Sequence, residues 1–216
     1  MDLLAKHEQF EMDVLYHLNS GRILEKIVFG GGTMLRLCHE LNRYSADLDF
    51  WLIKTVAIET FQNKITAHLA DEYEITDSQI KHFSLVVEVR TPAYPRRLKI
   101  EIRKDIRKWD LEKSIAFSKY SNRQVLLYTH TLSQTMDNKI AALITRGEIR
   151  DAFDIEFLLR KGITLPEMTM EDKSLLKKCL KSFRENDFKV KLGSILDEEM
   201  RSYYIKNHFR YLDEKL

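Results

Sequence analysis

Asp47 and Asp49, one residue apart in the run Asp47-Leu48-Asp49-Phe50, are residues whose type and spacing can do chemistry. Side chains alternate along an extended strand, so the two carboxylates share one face while Leu48 and Phe50 share the other, with the roots of the acids about 6–7 Å apart. Acids so placed can converge on one or two hard cations. Magnesium takes oxygen ligands and couples carboxylates to substrate phosphates, and two ions about 3.5–4 Å apart can hold both the attacking and the leaving oxygens of a displacement. Upstream, Gly30-Gly31-Gly32-Thr33 offers the matching half. Glycines let backbone N–H groups come close to an anion, the start of a following helix adds positive dipole, and Thr33 supplies a hydroxyl. The stretch therefore suits a phosphate. Taken singly, the glycines are also a tight turn and the Asp-x-Asp pair a solvated strand.

These groups need elements to hold them. Ile27-Val28-Phe29 predicts a short buried strand, Gly30 to Gly32 a turn, Thr33 to Leu41 a helix, and Asp47 to Ile53 a second strand. Before them, Leu3, Leu4, Phe10, Val14, Leu15 and Leu18 form a helical stripe ended at Asn19-Ser20-Gly21, an architectural helix over 2–18. After them come a helix over Ala57–Ala70 and three strands, Tyr73–Ile80, Phe83–Arg90 and Arg97–Arg103. In the last strand Leu98, Ile100 and Ile102 alternate with Lys99, Glu101 and Arg103, which sets Glu101 on a polar face between two cations. Residues 104–124 show little pattern beyond the anchors Trp109, Phe117 and Tyr120, and Val125–Tyr128 reads as a last short strand. Thr131-Leu132-Ser133-Gln134 has the form of a capping box, opening a helix through Lys139, Ala142 and Arg146 to a stop at Gly147. A second helix carries Arg150, Asp151, Asp154, Phe157 and Leu158. Lys139 and Arg146 share one helix face, and Asp151 and Asp154 another, a pattern that exposed salt bridging explains by itself. Residues 161–216 read as a helical tail, with Leu175, Leu176, Leu180 and Phe183 as its buried stripe and Tyr203, Tyr204, Phe209 and Tyr211 as aromatic contacts.

The 216 residues, 44% hydrophobic and 31% charged with only 7 Gly and 3 Pro, are those of an ordered, helix-rich protein with a real core. No run is apolar over the roughly 18 residues of a membrane span, and the first residues lack the apolar core of a signal peptide, so a cytoplasmic location without membrane partners is expected. Cys38 and Cys179 form neither a zinc cluster nor a disulfide framework. A formal net charge of +2 does not announce a nucleic-acid binder. Local density is more telling: Arg96, Arg97, Lys99, Arg103, Lys104, Arg107 and Lys108 crowd one segment against Glu101 and Asp105 alone, a patch suited to RNA phosphates or to plain solvation. Lys173, Lys177, Lys178, Lys181 and Arg184 fall at the spacing of an exposed helix face.

Gly31-Gly32-Thr33-Met34-Leu35-Arg36 followed by Arg43-Tyr44-Ser45-Ala46-Asp47-Leu48-Asp49-Phe50 closely resembles the AbiEii/AbiGii-type nucleotidyltransferase toxins of bacterial toxin–antitoxin systems. A later match, Lys139-Ile140-Ala141-Ala142-Leu143 through Arg146-Gly147 to Arg150-Asp151-Ala152-Phe153-Asp154, is similar to that family's lysine-bearing helix and its Arg-Asp-x-x-Asp. The resemblance implies an α/β (α+β) polymerase-β-type nucleotidyltransferase core with a mixed sheet over residues 1–128. A mainly helical region over 129–216 would complete the nucleotide site. It implies Mg²⁺, two ions, on Asp47, Asp49 and a third carboxylate from a neighbouring strand, for which Glu101 is the candidate and Glu88 the weaker alternative. Gly31, Gly32, Thr33, Arg36, Ser45, Lys139, Arg150 and Asp151 would bind the nucleoside triphosphate, with Asp154 structural or supporting. It further implies an RNA acceptor such as a transfer-RNA 3′ end, and a cognate antitoxin. Where the family commonly carries a lysine before Gly-Gly-Thr, this chain has Gly30. The competing readings are nucleotidylation of a small molecule or a protein, and a catalytically idle nucleotide-binding module.

Overall fold

Alternation builds the centre of the fold. In the computed structural model, which describes residues 3–216, strand β2 (Asp47–Leu52) buries Leu48, Phe50 and Leu52 and leaves Asp47, Asp49 and Trp51 half-buried on its other face. Strand β5 (Leu98–Arg103) repeats this with Leu98, Ile100 and Ile102 inside. The two strands pair in parallel, with Asp47 beside Lys99 and Asp49 beside Glu101. β1 (Ile27–Gly30), buried throughout, pairs antiparallel with the other edge of β2 and puts Gly30 opposite Asp49. Flanking them are β3 (Glu74–Ile80), β4 (Ser84–Arg90), β6 (Leu111–Phe117) and β7 (Gln124–His130). The result is a mixed seven-stranded sheet in the order β3-β4-β5-β2-β1-β7-β6. Helix α1 (Leu3–Ser20) lies against β5 and β7, α2 (Gly31–His39) against β1, β2 and β6, and α3 (Ile58–Ala70) against β3 and β4.

β6 departs from expectation, because residues 111–117 had no strand signature. The cause is its edge position. Ala116 is its buried side chain, Ile115 and Phe117 point outward at 53% and 50% exposure, and the apolar alternation that marks a half-buried strand is reversed.

The chain divides into two units, Met1–Glu40 with Ser45–His130, and Leu41–Tyr44 with Thr131–Leu216. The second is helical: α4 (Leu132–Arg146), α5 (Ile149–Arg160), α6 (Met170–Ser182), a π-helical turn at Asp187–Leu192, a 3-10 turn at Gly193–Ile195, α7 (Glu198–Asn207) and α8 (Arg210–Lys215). Thr131 caps α4 as its capping box requires, accepting the Gln134 N–H at 3.2 Å, and Gly147 closes it in the left-handed conformation at φ 65°. The tail is organised around Glu156, fully buried on α5, which accepts from the Tyr204 hydroxyl at 2.9 Å, the Leu212 N–H at 3.1 Å and Arg160 at 3.0 Å. Of the expected α6 stripe Leu176 is buried, whereas Leu175 is largely exposed. Tyr204 and Phe209 are core, in ring contact with each other, and Tyr203 lies outside. Among the described residues no helix is long and apolar enough to cross a membrane.

Candidate active site

Asp47, Asp49 and Glu101 meet on one face of β2 and β5, because strand periodicity aligns Asp47 with Asp49 and the parallel register sets Glu101 next to Asp49. Between them lies a cation that sequence reasoning had placed only on the strand of Glu101. The Lys99 ammonium is 3.2 Å from Asp47 Oδ2 and 3.5 Å from Glu101 Oε2, with the three side chains 35%, 43% and 24% exposed respectively. Partial burial disfavours the ammonium, but the Asp47, Glu101 and Asp49 charges outweigh it and hold the Lys99 pKa above its ordinary value. Glu88, the alternative third carboxylate, is one strand further out on β4 and is bound elsewhere, accepting from Thr76 Oγ1 at 2.7 Å and Arg97 at 3.0 Å. Those bonds hold its pKa down, the Thr76 bond most strongly.

The glycine stretch is not a free turn: β1 runs to Gly30 and α2 starts at Gly31. Gly31 has φ +74°, and a Cβ there would meet Asp49 Oδ2 at 2.5 Å. Both facts require glycine, and together they bring the start of α2 against the Asp49 carboxylate. Gly32 is buried, and Thr33, fully buried, donates its hydroxyl to the Asp47 carbonyl at 2.6 Å. Thr33 thus ties α2 to the first residue of β2, and that hydroxyl proton is engaged within the protein. Arg36, further along α2, pairs with Glu8 of α1, whose other oxygen accepts from Ser118 at 2.6 Å. His7 Nε2 lies 2.9 Å from the carbonyl of Ala46, just before β2, and Ser45 is half-buried beside it in the chain. α1 is thus tied by polar side chains to α2 and to the residue before β2. Its buried His7, Glu8 and Glu11 escaped notice because a helical stripe is read from apolar residues alone. Burial pushes the Glu11 pKa well above the usual carboxylate range, with the Glu8 charge adding to it.

Trp51, two residues beyond Asp49 and on its face, fills the space before Gly30. A Cβ on Gly30 would meet the Trp51 ring at 2.5 Å and His130 Nδ1 at 3.0 Å. The indole contacts the rings of Trp109 and His130 with centroids 6.1 and 4.8 Å away, and Arg103 lies over it at 5.7 Å. A lysine at position 30 is incompatible with this packing unless Trp51 moves. Burial, with the Arg107 charge behind it, lowers the His130 pKa to about 4 and keeps the imidazole neutral near neutral pH.

In the second unit, three of the charges read as exposed bridges, Lys139, Asp151 and Asp154, are buried, while Arg146 is half exposed. Asp154 takes both Arg43 Nε and Nη2 at 2.7 Å, and Lys139 Nζ at 2.6 Å. Asp151, also fully buried, takes Lys139 at 3.1 Å and a bidentate pair from Arg146 at 2.7 Å. Burial pushes the Asp154 pKa up, but Arg43 and Lys139 outweigh it and hold it below the usual carboxylate value. Lys139 and Asp151 are thus engaged with each other, while Arg150 stands exposed at the start of α5. Asp154→Ala leaves two cations buried without their shared partner and is expected to cost about 3–5 kcal/mol, read as a lower urea midpoint. A loss under about 1 kcal/mol would contradict an organising role for this cluster.

Three carboxylates on adjacent strands are hard oxygen donors of the kind a divalent cation such as Mg²⁺ takes, and the backbone register brings their roots together. Among the described residues no three acidic, His or Cys side chains already form a cage. Asp47 and Glu101 instead close on the Lys99 ammonium, which stands where positive charge is called for. The donor set fits a metal ion, and the side-chain positions are those of a cluster holding lysine.

The family model of the nucleotidyl transferase AbiEii toxins of type IV toxin–antitoxin systems matches residues 13–210. No curated protein matches the chain. Among solved structures, JHP933 from Helicobacter pylori is similar with a TM-score of 0.60 at 20% identity, covering 100% of this chain and 94% of that one. A putative nucleotidyltransferase from H. pylori is similar with a TM-score of 0.58 at 22% identity, covering 96% of each chain. At these identities the likeness carries the fold. With the family model spanning the sheet, the carboxylate face and the buried Arg43–Asp154 pair, this chain belongs to the nucleotidyl transferase AbiEii toxin family and is a nucleotidyl transferase.

Proposed function

We propose that the chain moves a nucleotide from a nucleoside triphosphate to a hydroxyl of RNA, with a transfer-RNA 3′ end as the acceptor, and acts as a toxin restrained by a cognate antitoxin. The observation that carries the chemistry is the shared face of Asp47, Asp49 and Glu101 with the start of α2 pressed against Asp49. Asp47, Asp49 and Glu101 would hold Mg²⁺, two ions in the fullest arrangement, and the metal would supply neutralisation of the triphosphate and of the charge that develops in transfer. The backbone N–H groups at Gly31, Gly32 and Thr33 open a helix and favour a phosphate there. The acceptor oxygen bonds to the α-phosphorus, the bridging bond to the β-phosphate breaks and pyrophosphate leaves, while the hydroxyl proton passes to Glu101 where it serves as base, or to solvent where it serves as metal ligand. Catalysis of this kind is positioning and charge neutralisation.

The acceptor class rests on the basic segment around Glu101. Arg103 and Arg107 lie over Trp51 and Trp109, at 5.7 and 4.3 Å, presenting guanidinium charge on an aromatic backing. RNA binding is expected to weaken steeply with salt, and Arg103→Gln with Lys104→Gln to flatten the dependence by about 0.7 per lost phosphate contact in the log–log slope. Binding indifferent to salt would favour a small-molecule acceptor. The direct test is incubation with each labelled nucleoside triphosphate, Mg²⁺ and either total RNA or total protein. Label in the RNA fraction supports the reading, and label confined to protein or small molecules overturns the acceptor.

The family resemblance gives Lys139, Arg150 and Asp151 a nucleotide role as well. Arg150 separates that role from folding, since it is exposed whereas Lys139 and Asp151 are tied into the buried cluster. A raised KM for the triphosphate in Arg150→Ala, at unchanged stability, would support it.

A further inference from the structure

We propose that Lys99 is the resident cation of the carboxylate cluster, holding Asp47 and Glu101 before a metal ion binds and leaving them when it does. The inference rests on the proposed metal site and concerns what this chain must do to load it. Lys99 faces Asp47 across the β2–β5 register and shares a strand face with Glu101, so one ammonium reaches both acids, at 3.2 and 3.5 Å. A magnesium ion about 2.1 Å from the same Asp47 oxygen could lie no more than about 5.3 Å from that ammonium, in a partly buried setting where like charges repel strongly. The two cations also compete for the same lone pairs. Lysine suits the part, because its ammonium is a compact charge on a four-carbon stem that can swing away, and this one is 35% exposed with solvent to swing into. The pairing brings two of the three carboxylates onto one lysine.

The test is metal binding to the full chain without substrate, followed by electron paramagnetic resonance of added Mn²⁺ and by the melting temperature with and without that ion. Lys99→Met and Lys99→Gln are expected to melt lower than wild type in the absence of metal, since the acids then face one another without a counter-charge. They are expected to bind Mn²⁺ about fivefold or more tightly, the shift that follows from removing one competing ion pair, and to recover more melting temperature when it is added. Lys99→Arg keeps the charge and should show no such tightening. Arg103→Met removes a cation from the same strand face that has no pairing with these acids, and should change Mn²⁺ affinity much less. Equal or weaker Mn²⁺ binding in both Lys99→Met and Lys99→Gln, with wild type binding normally, overturns the inference and spares the metal site. Equal tightening by Arg103→Met overturns it in favour of general charge. No Mn²⁺ binding by wild type or either variant, at millimolar ion, overturns the metal site and the inference with it.

Discussion

Asp47→Ala and Asp49→Ala are each expected to abolish nucleotide transfer while leaving the protein folded. Both side chains lie on the half-buried face of β2, opposite Leu48 and Phe50, so neither truncation opens a core cavity. On the proposed reading, what disappears would be a donor for the metal and a negative charge beside the triphosphate. Removing a single preorganised electrostatic group costs on the order of 10²–10³-fold in rate, and a metal ligand is expected to cost at least that. Single-turnover transfer alongside a thermal melt reads both quantities. Activity equal to wild type in either variant removes that residue from the site. Unfolding of both would mean that the acids serve structure, with Lys99 as the fixed partner of Asp47.

Glu101→Gln is the second large effect. The change keeps the shape and much of the hydrogen bonding and removes the charge, so transfer should fall by orders of magnitude while nucleotide binding changes little. Glu88→Gln is the matched control. Its carboxylate faces Thr76 and Arg97 on the β3–β4 side, and its loss should cost about 0–1 kcal/mol of stability with transfer preserved. An active Glu101→Gln protein would move the third carboxylate elsewhere, and an inactive Glu88→Gln protein would point to β4.

The parts of the site legible in the sequence were those that follow from local rules. The alternation of Leu98, Ile100 and Ile102 with Lys99 and Glu101 is the burial pattern of β5, and the Thr131 cap and Gly147 stop bound α4 as their residue types require. What escaped depends on pairing. Lys99 was visible as a neighbour of Glu101, but only the register of β5 on β2 brings it to Asp47, and register is a tertiary property that neither strand encodes alone. Trp51 could have been read from alternation, since it shares the face of Asp49. Its consequence for Gly30 could not, because that depends on β1 pairing antiparallel with β2. The Lys139, Asp151 and Asp154 charges looked like solvated helix surface, as charged positions usually are. They are buried because Arg43, more than a hundred residues earlier in the chain, supplies two further hydrogen bonds to Asp154.

The most direct test of the central claim compares two labels in the same triphosphate, one on the α-phosphate and one on the γ-phosphate, with Mg²⁺ and total RNA. Nucleotidyl transfer puts the α-label into RNA, releases the γ-label as pyrophosphate, and loses both signals together in Asp49→Ala. Incorporation of the γ-label, or α-label incorporation that survives Asp49→Ala, would contradict the assignment of this carboxylate face as the transfer site.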